Sequence, residues 1–252
     1  MLLQTKGVCK YFGGLKAVDQ VDFSIEQGKL KSIIGPNGAG KTTFFNLVSG
    51  LYKPTHGQVT FQGKDVSHAS MNQRSQLGIT KTYQITSIFP RLSVFENVRL
   101  SAQSRVSMFN SWRKAYSYSA LNNRTMEILE HVGLADQQGR TASELSHGEK
   151  RYLEIGIALA TEPTILLLDE PTAGMSPAET VEATHLIRKL SNELKLTIIL
   201  IEHDISVVMG ISDEVMVLHE GKKLAEDTPE KISANETVQN VYLGKGAEPC
   251  SR

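Results

Sequence analysis

The sequence predicts an α/β fold, in which strands and helices alternate along a core and a helix-rich lobe is inserted in the middle. Three observations carry this. The run Leu30-Lys31-Ser32-Ile33-Ile34 reads as a strand, ends in a glycine-rich loop and is followed by a helical pattern over Thr42–Val48. Ile165–Leu168 is wholly apolar, as expected of a central parallel strand covered on both faces. Between these regions, residues from about 87 to 159 show helical caps and helical spacing instead of strand alternation. At 252 residues the chain suits one large domain or a core with an inserted lobe.

The elements follow in order. Val21, Phe23 and Ile25 alternate with polar residues, and Gly28 turns the chain into the strand at 30–34. Gly50 closes the helix after the loop, then Val59 and Phe61 alternate again before a Gln62-Gly63 turn. In the lobe, Ser93-Val94-Phe95-Glu96 has capping-box spacing, and Met126, Ile128, Leu129 and Val132 outline an apolar helical face. Ser146-His147-Gly148-Glu149 repeats the capping box ahead of Tyr152–Leu159. Ser104–Ser119, rich in Ser, Tyr and Arg, reads as an irregular insertion. Ser176-Pro177-Ala178-Glu179 starts a helix expected to run to about Leu194. Thr197–Ile201 and Val215–Leu218 are further strands, Glu220-Gly221-Lys222 is a hairpin turn, and Thr228-Pro229-Glu230 opens a short helix. The tail after Gly244 is expected to be loose.

Composition narrows the function classes. Acidic and basic residues number 27 each, so no basic excess points to nucleic acid. Cys9 and Cys250 stand far apart in no metal-ligand spacing, which suits a reducing cytosol. No secretory signal is visible, and no stretch approaches the ~20 apolar residues of a membrane span. A soluble protein is expected, one that must dock on another protein's helices if it acts at a membrane.

Two motifs carry chemistry. Gly35-Pro36-Asn37-Gly38-Ala39-Gly40-Lys41-Thr42 is a complete G-x-x-x-x-G-K-[ST] phosphate loop between a strand and a helix. Its glycines let several backbone N–H groups face one concavity, and the helix dipole adds to their pull on phosphates. Lys41 should reach the β- and γ-phosphates, the Thr42 hydroxyl should hold Mg²⁺, and Thr43 belongs with the nucleotide-binding residues of the loop. An accidental match of the fixed positions has a chance of roughly 1% in a chain of this length. The second motif is Ile165-Leu166-Leu167-Leu168-Asp169-Glu170, a buried strand ending in two acids at the carboxyl edge of the sheet. Asp169 suits the Mg²⁺ shell, and Glu170 suits polarising an attacking water. Alone, such a string is weak evidence; beside the loop it is strong.

With these motifs, and with Leu145-Ser146-His147-Gly148-Glu149 some twenty residues before the acidic strand, the chain resembles the ABC ATPase superfamily from about Leu2 to Gly244. The resemblance implies a P-loop NTPase (RecA-like) core with an N-terminal antiparallel β subdomain and an inserted α-helical subdomain. It divides the chain into a core of residues 1–86 and 161–243, a helical subdomain of 87–160 and a tail of 244–252. Ser146, the Gly148 backbone and the following helix N-terminus would meet the γ-phosphate held by a second subunit. Gln84 matches the family's metal-sensing glutamine, His203 its γ-phosphate histidine, and Phe12 the aromatic that stacks on adenine, with Tyr11 as fallback. Two residues depart from the pattern: His147 stands where glycine is frequent, and Ser176 where an Asp is usual.

The runs Tyr11-Phe12-Gly13-Gly14-Leu15-Lys16-Ala17-Val18 and Ala173-Gly174-Met175-Ser176-Pro177 look like the ATPases of bacterial branched-chain amino acid importers. So does Ile201-Glu202-His203-Asp204, and so does the long insertion after Asn97-Val98. The resemblance implies ATP and Mg²⁺ as ligands and ATP hydrolysis coupled to import. Implied partners are a second ATPase subunit (a copy or a sister), transmembrane permease subunits and, indirectly, a solute-binding protein. The implied place is the cytoplasmic face of the inner membrane. Related members serve urea or amide uptake or lipopolysaccharide export, and a soluble non-transport ABC ATPase is a further alternative. That rival usually carries two cassettes or a long coiled coil, and a small-molecule kinase has no use for the 145–149 motif.

Overall fold

The computed structural model describes residues 1–82, 88–104 and 114–243 of the chain. It comprises two compact units, one built from residues 1–74 together with 197 onward, the other from 75–196.

The first unit contains two sheet regions. β1 (Leu3–Phe12) pairs antiparallel with β2 (Leu15–Ile25) on one side and with β4 (His56–Phe61) on the other, and β5 (Lys64–Asp65) extends β4. The second region is parallel: β3 (Leu30–Ile34) lies between β8 (Thr197–Ile201) and β9 (Glu214–His219), and β10 (Lys222–Asp227) adds antiparallel to β9. Every residue of β3 and β8 is buried, which their apolar composition anticipates. Lys31, the one charged residue of the two strands, is buried as well. Its ammonium is neutralised by Glu214 at 2.7 Å and by Glu226, donates to the Ser24 carbonyl at 2.8 Å and sits over the Phe23 ring.

Helices α1 (Lys41–Ser49), α7 (Ile205–Ile211), α8 (Pro229–Ser233) and α9 (Glu236–Leu243) complete this unit. Ile34, Val208, Val215, Val217, Ile232 and Val238 form the cluster that seats the C-terminal helices on the parallel strands. α1 ends at Gly50 in left-handed geometry, and Arg74 covers that end. The fully buried Arg74 guanidinium donates to the Leu47 and Val48 carbonyls, both at 2.7 Å, and to Val66 and Ser67 at 2.6 and 3.2 Å. Burial lowers its pKa to about 10, so it stays charged at neutral pH and complements the negative helix end.

α2 (Met71–Leu77) carries the chain into the second unit. There β6 (Ile79–Lys81) and the wholly buried β7 (Ile165–Asp169) run parallel. α3 (Val94–Gln103), α4 (Lys114–His131) and α5 (His147–Leu159) pack together, with Gly156 of α5 letting Val98, Ile128 and Val132 approach closely. α6 (Pro177–Glu193) follows β7. The capping boxes at Ser93, Ser146 and Ser176 all form as the sequence predicts.

The irregular stretch expected over 104–119 is corrected in part, because α4 starts at Lys114. Its strong face at Leu121, Thr125, Ile128 and Leu129 is buried, and helix propagation from it runs back into residues without apolar spacing. Residues 105–113 of that stretch, and the tail from 244 onward, lie outside the described residues. α2, α7 and α9 were not anticipated. Among the described residues no helix is long and apolar enough to cross a membrane.

Candidate active site

The loop that follows β3 and opens into α1 is shaped by backbone rules. Gly35 and Gly40 have φ of 154° and 97°, and a Cβ on them would lie 2.2 Å from the Leu218 carbonyl oxygen and 2.4 Å from that of Ala17. Both torsion and space therefore demand glycine. Pro36, Asn37, Gly38 and Ala39 complete the turn, which is pinned when Ala39 donates to the Pro36 carbonyl at 3.2 Å and accepts from Gly221 at 3.0 Å. α1 has no side-chain cap and no acid in its first turn, so its leading N–H groups are left for an anion. Lys41 is buried and folds back over the loop, donating to the Gly35 and Pro36 carbonyls at 2.7 and 3.0 Å. Thr42 is exposed and Thr43 half-buried at the same end.

The same unit brings His203 to this edge. Ile33 of β3 is paired with Ile201 of β8, and Gly35 and His203 each follow two residues later. His203 is exposed, and its backbone N–H donates to the buried Glu202 carboxylate at 3.1 Å. Phe12, at the tip of the β1–β2 hairpin, is 45% exposed, with Tyr52 edge-on at 5.5 Å and Lys10 over its ring at 5.2 Å. It is not a core aromatic. Tyr11 is the poorer stacking platform, because its hydroxyl donates to Asp19 at 2.6 Å. That bond pushes the phenol pKa well up.

The second unit holds the acids. Asp169 ends β7 almost fully buried, with Oδ2 3.2 Å from the Lys81 ammonium. Its Oδ1 is buried without a hydrogen-bond partner, an orphaned anionic oxygen of the kind that a hard cation or its water would satisfy. Among the described residues no cluster of three or more His, Cys, Asp or Glu forms a cation cage. The donor set thus fits an ion held largely by substrate oxygens, as Mg²⁺ usually is. Glu170 is half-buried and has φ of 49°, a left-handed backbone that strains a non-glycine residue by about 1–2 kcal/mol. What holds it is Arg151 of α5, whose guanidinium donates to the Asp169, Glu170 and Pro171 carbonyls at 2.6, 3.0 and 3.3 Å. Sequence reasoning missed Arg151. The one available sign, a Glu three residues on, looks like any helical surface pair.

Ser146 caps α5 in this unit. Glu149 N–H donates to the Ser146 hydroxyl at 3.2 Å, and Ser146 N–H donates to the Glu149 carboxylate at 2.7 Å. A side chain at Gly148 would stand 3.3 Å from the Glu179 carboxylate. The two departures also come to rest here. A His147 ring nitrogen lies 3.2 Å from the Ala173 carbonyl oxygen, and the Ser176 hydroxyl is used by its own helix, donating to Glu179 at 2.7 Å. Gln84 lies outside the described residues. The loop, His203 and Phe12 therefore belong to the first unit, and Asp169, Glu170, Ser146 and Gly148 to the second.

The sequence matches the ABC transporter family over residues 18–173, more than half of the chain. The chain belongs to the ABC transporter family. Residues 222–248 of this ABC ATPase match a second family, branched-chain amino acid ATP-binding cassette transporter. The high-affinity branched-chain amino acid transport ATP-binding protein LivG of Salmonella typhimurium is 40% identical over 97% of this chain and 98% of its own length. BraF of Pseudomonas aeruginosa, described in the same words, is 38% identical over 97% and 98%. Among solved structures, the ADP conformation of MJ1267, an ATP-binding cassette of an ABC transporter, superposes with a TM-score of 0.85 at 30% identity, covering 97% of this chain and 99% of that one. A dimeric post-hydrolysis structure of the cassette MJ0796 bound to ADP and Pi gives 0.76 at 26% identity, covering 90% and 99%. The fold is that of an ABC ATPase, and the protein binds and hydrolyses ATP.

Proposed function

We propose that this ABC ATPase powers uptake of branched-chain or related amino acids through transmembrane permease subunits, at the cytoplasmic face of the membrane. It works as one of a pair of ATPase subunits, and a solute-binding protein feeds the permease from the other side. The cargo rests on likeness to LivG and BraF and on the match over 222–248. The pairing rests on the dimeric cassettes among the structural relatives. The observation that carries the chemistry is the uncapped start of α1 behind a turn that only glycine can make, with Lys41 folded over it.

In this reading Phe12 stacks on adenine, and the backbone of 35–43 with Lys41 binds the phosphates. Thr42, Gln84 and Asp169 hold Mg²⁺. When bound, the ion neutralises phosphate charge and aligns the phosphate oxygens. Glu170 orients and polarises the attacking water, and His203 steadies the γ-phosphate. Ser146 and Gly148 of a second subunit close the site, so that two chains enclose two nucleotides. The part of the helical lobe around residues 84–98 faces the permease, with the exposed Phe89 and Pro90 and the half-buried Leu92 as its apolar surface.

Glu170→Gln tests the reading. It should keep ATP affinity, lower turnover by about 10²–10⁴-fold and accumulate an ATP-loaded dimer on size exclusion. Wild-type turnover in that variant rules Glu170 out, and Lys41→Ala with unchanged nucleotide affinity rules out the loop. ATP-driven accumulation of labelled leucine as against labelled urea, in vesicles carrying the whole transporter, decides the cargo.

A further inference from the structure

α5 is capped by Ser146, and its residues 147 and 151 lie one turn apart on the same face. Both reach one loop. A His147 ring nitrogen is 3.2 Å from the Ala173 carbonyl oxygen, and Arg151 donates to three consecutive carbonyls, those of 169, 170 and 171. The remaining arm of the guanidinium is fixed by the buried Glu154, 2.6 Å away on the same helix. The loop so gripped holds Glu170 in its left-handed backbone, φ 49°, a conformation that persists only when its surroundings impose it. Ser176, further along this loop, is committed to Glu179 of its own helix.

We infer that Arg151, braced by Glu154 and assisted by His147, is a positioning residue: it sets the Glu170 carboxylate and makes the start of α5 and the catalytic turn move as one body. This rests on the function proposed above. There, the α5 start meets the nucleotide of the partner subunit while Glu170 serves the chain's own nucleotide. The grip therefore links one hydrolysis site to the other. A planar guanidinium fits three successive carbonyls in a way that an ammonium does not, so lysine is a poor replacement.

The test uses the full-length protein. Arg151→Met should bind a fluorescent ATP analogue within about twofold of wild type and melt cooperatively, while kcat falls roughly tenfold to a hundredfold with KM little changed. Arg151→Lys should recover part of the loss, and Glu154→Gln should show a milder form of it. In a cycle with Ser146→Ala, the double variant should lose less than the product of the single losses, because both act through the same body. Wild-type kcat in folded Arg151→Met, a loss of nucleotide affinity equal to the loss of turnover, or fully multiplicative losses in the cycle would each overturn the inference. If Arg151→Met does not fold, Arg151→Lys and Glu154→Gln decide by the same readings. Absence of hydrolysis by the wild-type protein would instead strike the proposed function itself.

Discussion

Arg74 is fully buried, and four backbone carbonyls share its charge. Arg74→Met removes the cation from the end of α1 and strips donors from buried acceptors. It should lower stability by about 3 kcal/mol, read from urea unfolding midpoints at constant m-value. The phosphate loop was legible residue by residue because its demands are local. Glycine at 35 and 40 answers to torsion and to one nearby carbonyl each, and Lys41 sits within a turn of the oxygens it meets. Arg74 and Arg151 were not legible. Each bonds to backbone 7 to 27 residues away in sequence, and carbonyls leave no mark on residue type.

Three helices, α3, α5 and α6, begin with the same reciprocal pair, a serine and the glutamate three residues on. Identical local chemistry serves different ends. Ser93→Ala should reduce stability by about 1 kcal/mol and leave ATP turnover intact. Ser146→Ala should show a similar loss in melting experiments but, if the proposed role at the partner's nucleotide holds, a much larger one in hydrolysis. The pairs also predict acid sensitivity. Hydrogen bonds from Ser93 and Ser176 hold the Glu96 and Glu179 carboxyls below the ordinary glutamate range. A depressed folded pKa means that the stabilisation is complete above the ordinary value and fades as pH falls through the lowered one. Glu96→Gln and Glu179→Gln, which remove the titrating carboxyls, should therefore flatten the acid limb of a stability-versus-pH curve. At this scale the sequence was most readable where elements are long or buried throughout, as in β3, β7, β8 and the capped helices. It was least readable in α2, α7 and α9. Those are short, and their place is set by packing against distant elements; Val208, Ile232 and Val238 meet only in the folded unit.

At the scale of the whole molecule, no helix among the described residues is long and apolar enough to cross a membrane, and 97% of the chain aligns with a transporter ATPase. Expressed without its permease it should wash off membranes in high salt. Co-expressed with the permease it should sediment with them, and charge reversal on the exposed Arg91 beside Phe89 should weaken that retention. One architectural fact reaches back before any of this. β3, which delivers the phosphate loop, hydrogen-bonds along both sides to strands that begin at residues 197 and 214. The middle unit is contiguous in sequence, whereas the unit that carries β3 is assembled from the two flanking stretches. On the ribosome, then, β3 and the loop after it must wait without their neighbours for on the order of ten seconds while the intervening chain is made. Nascent chains stalled before β9 has cleared the exit tunnel should expose the 30–41 segment to protease and to chaperones. Those stalled beyond it should bury the segment.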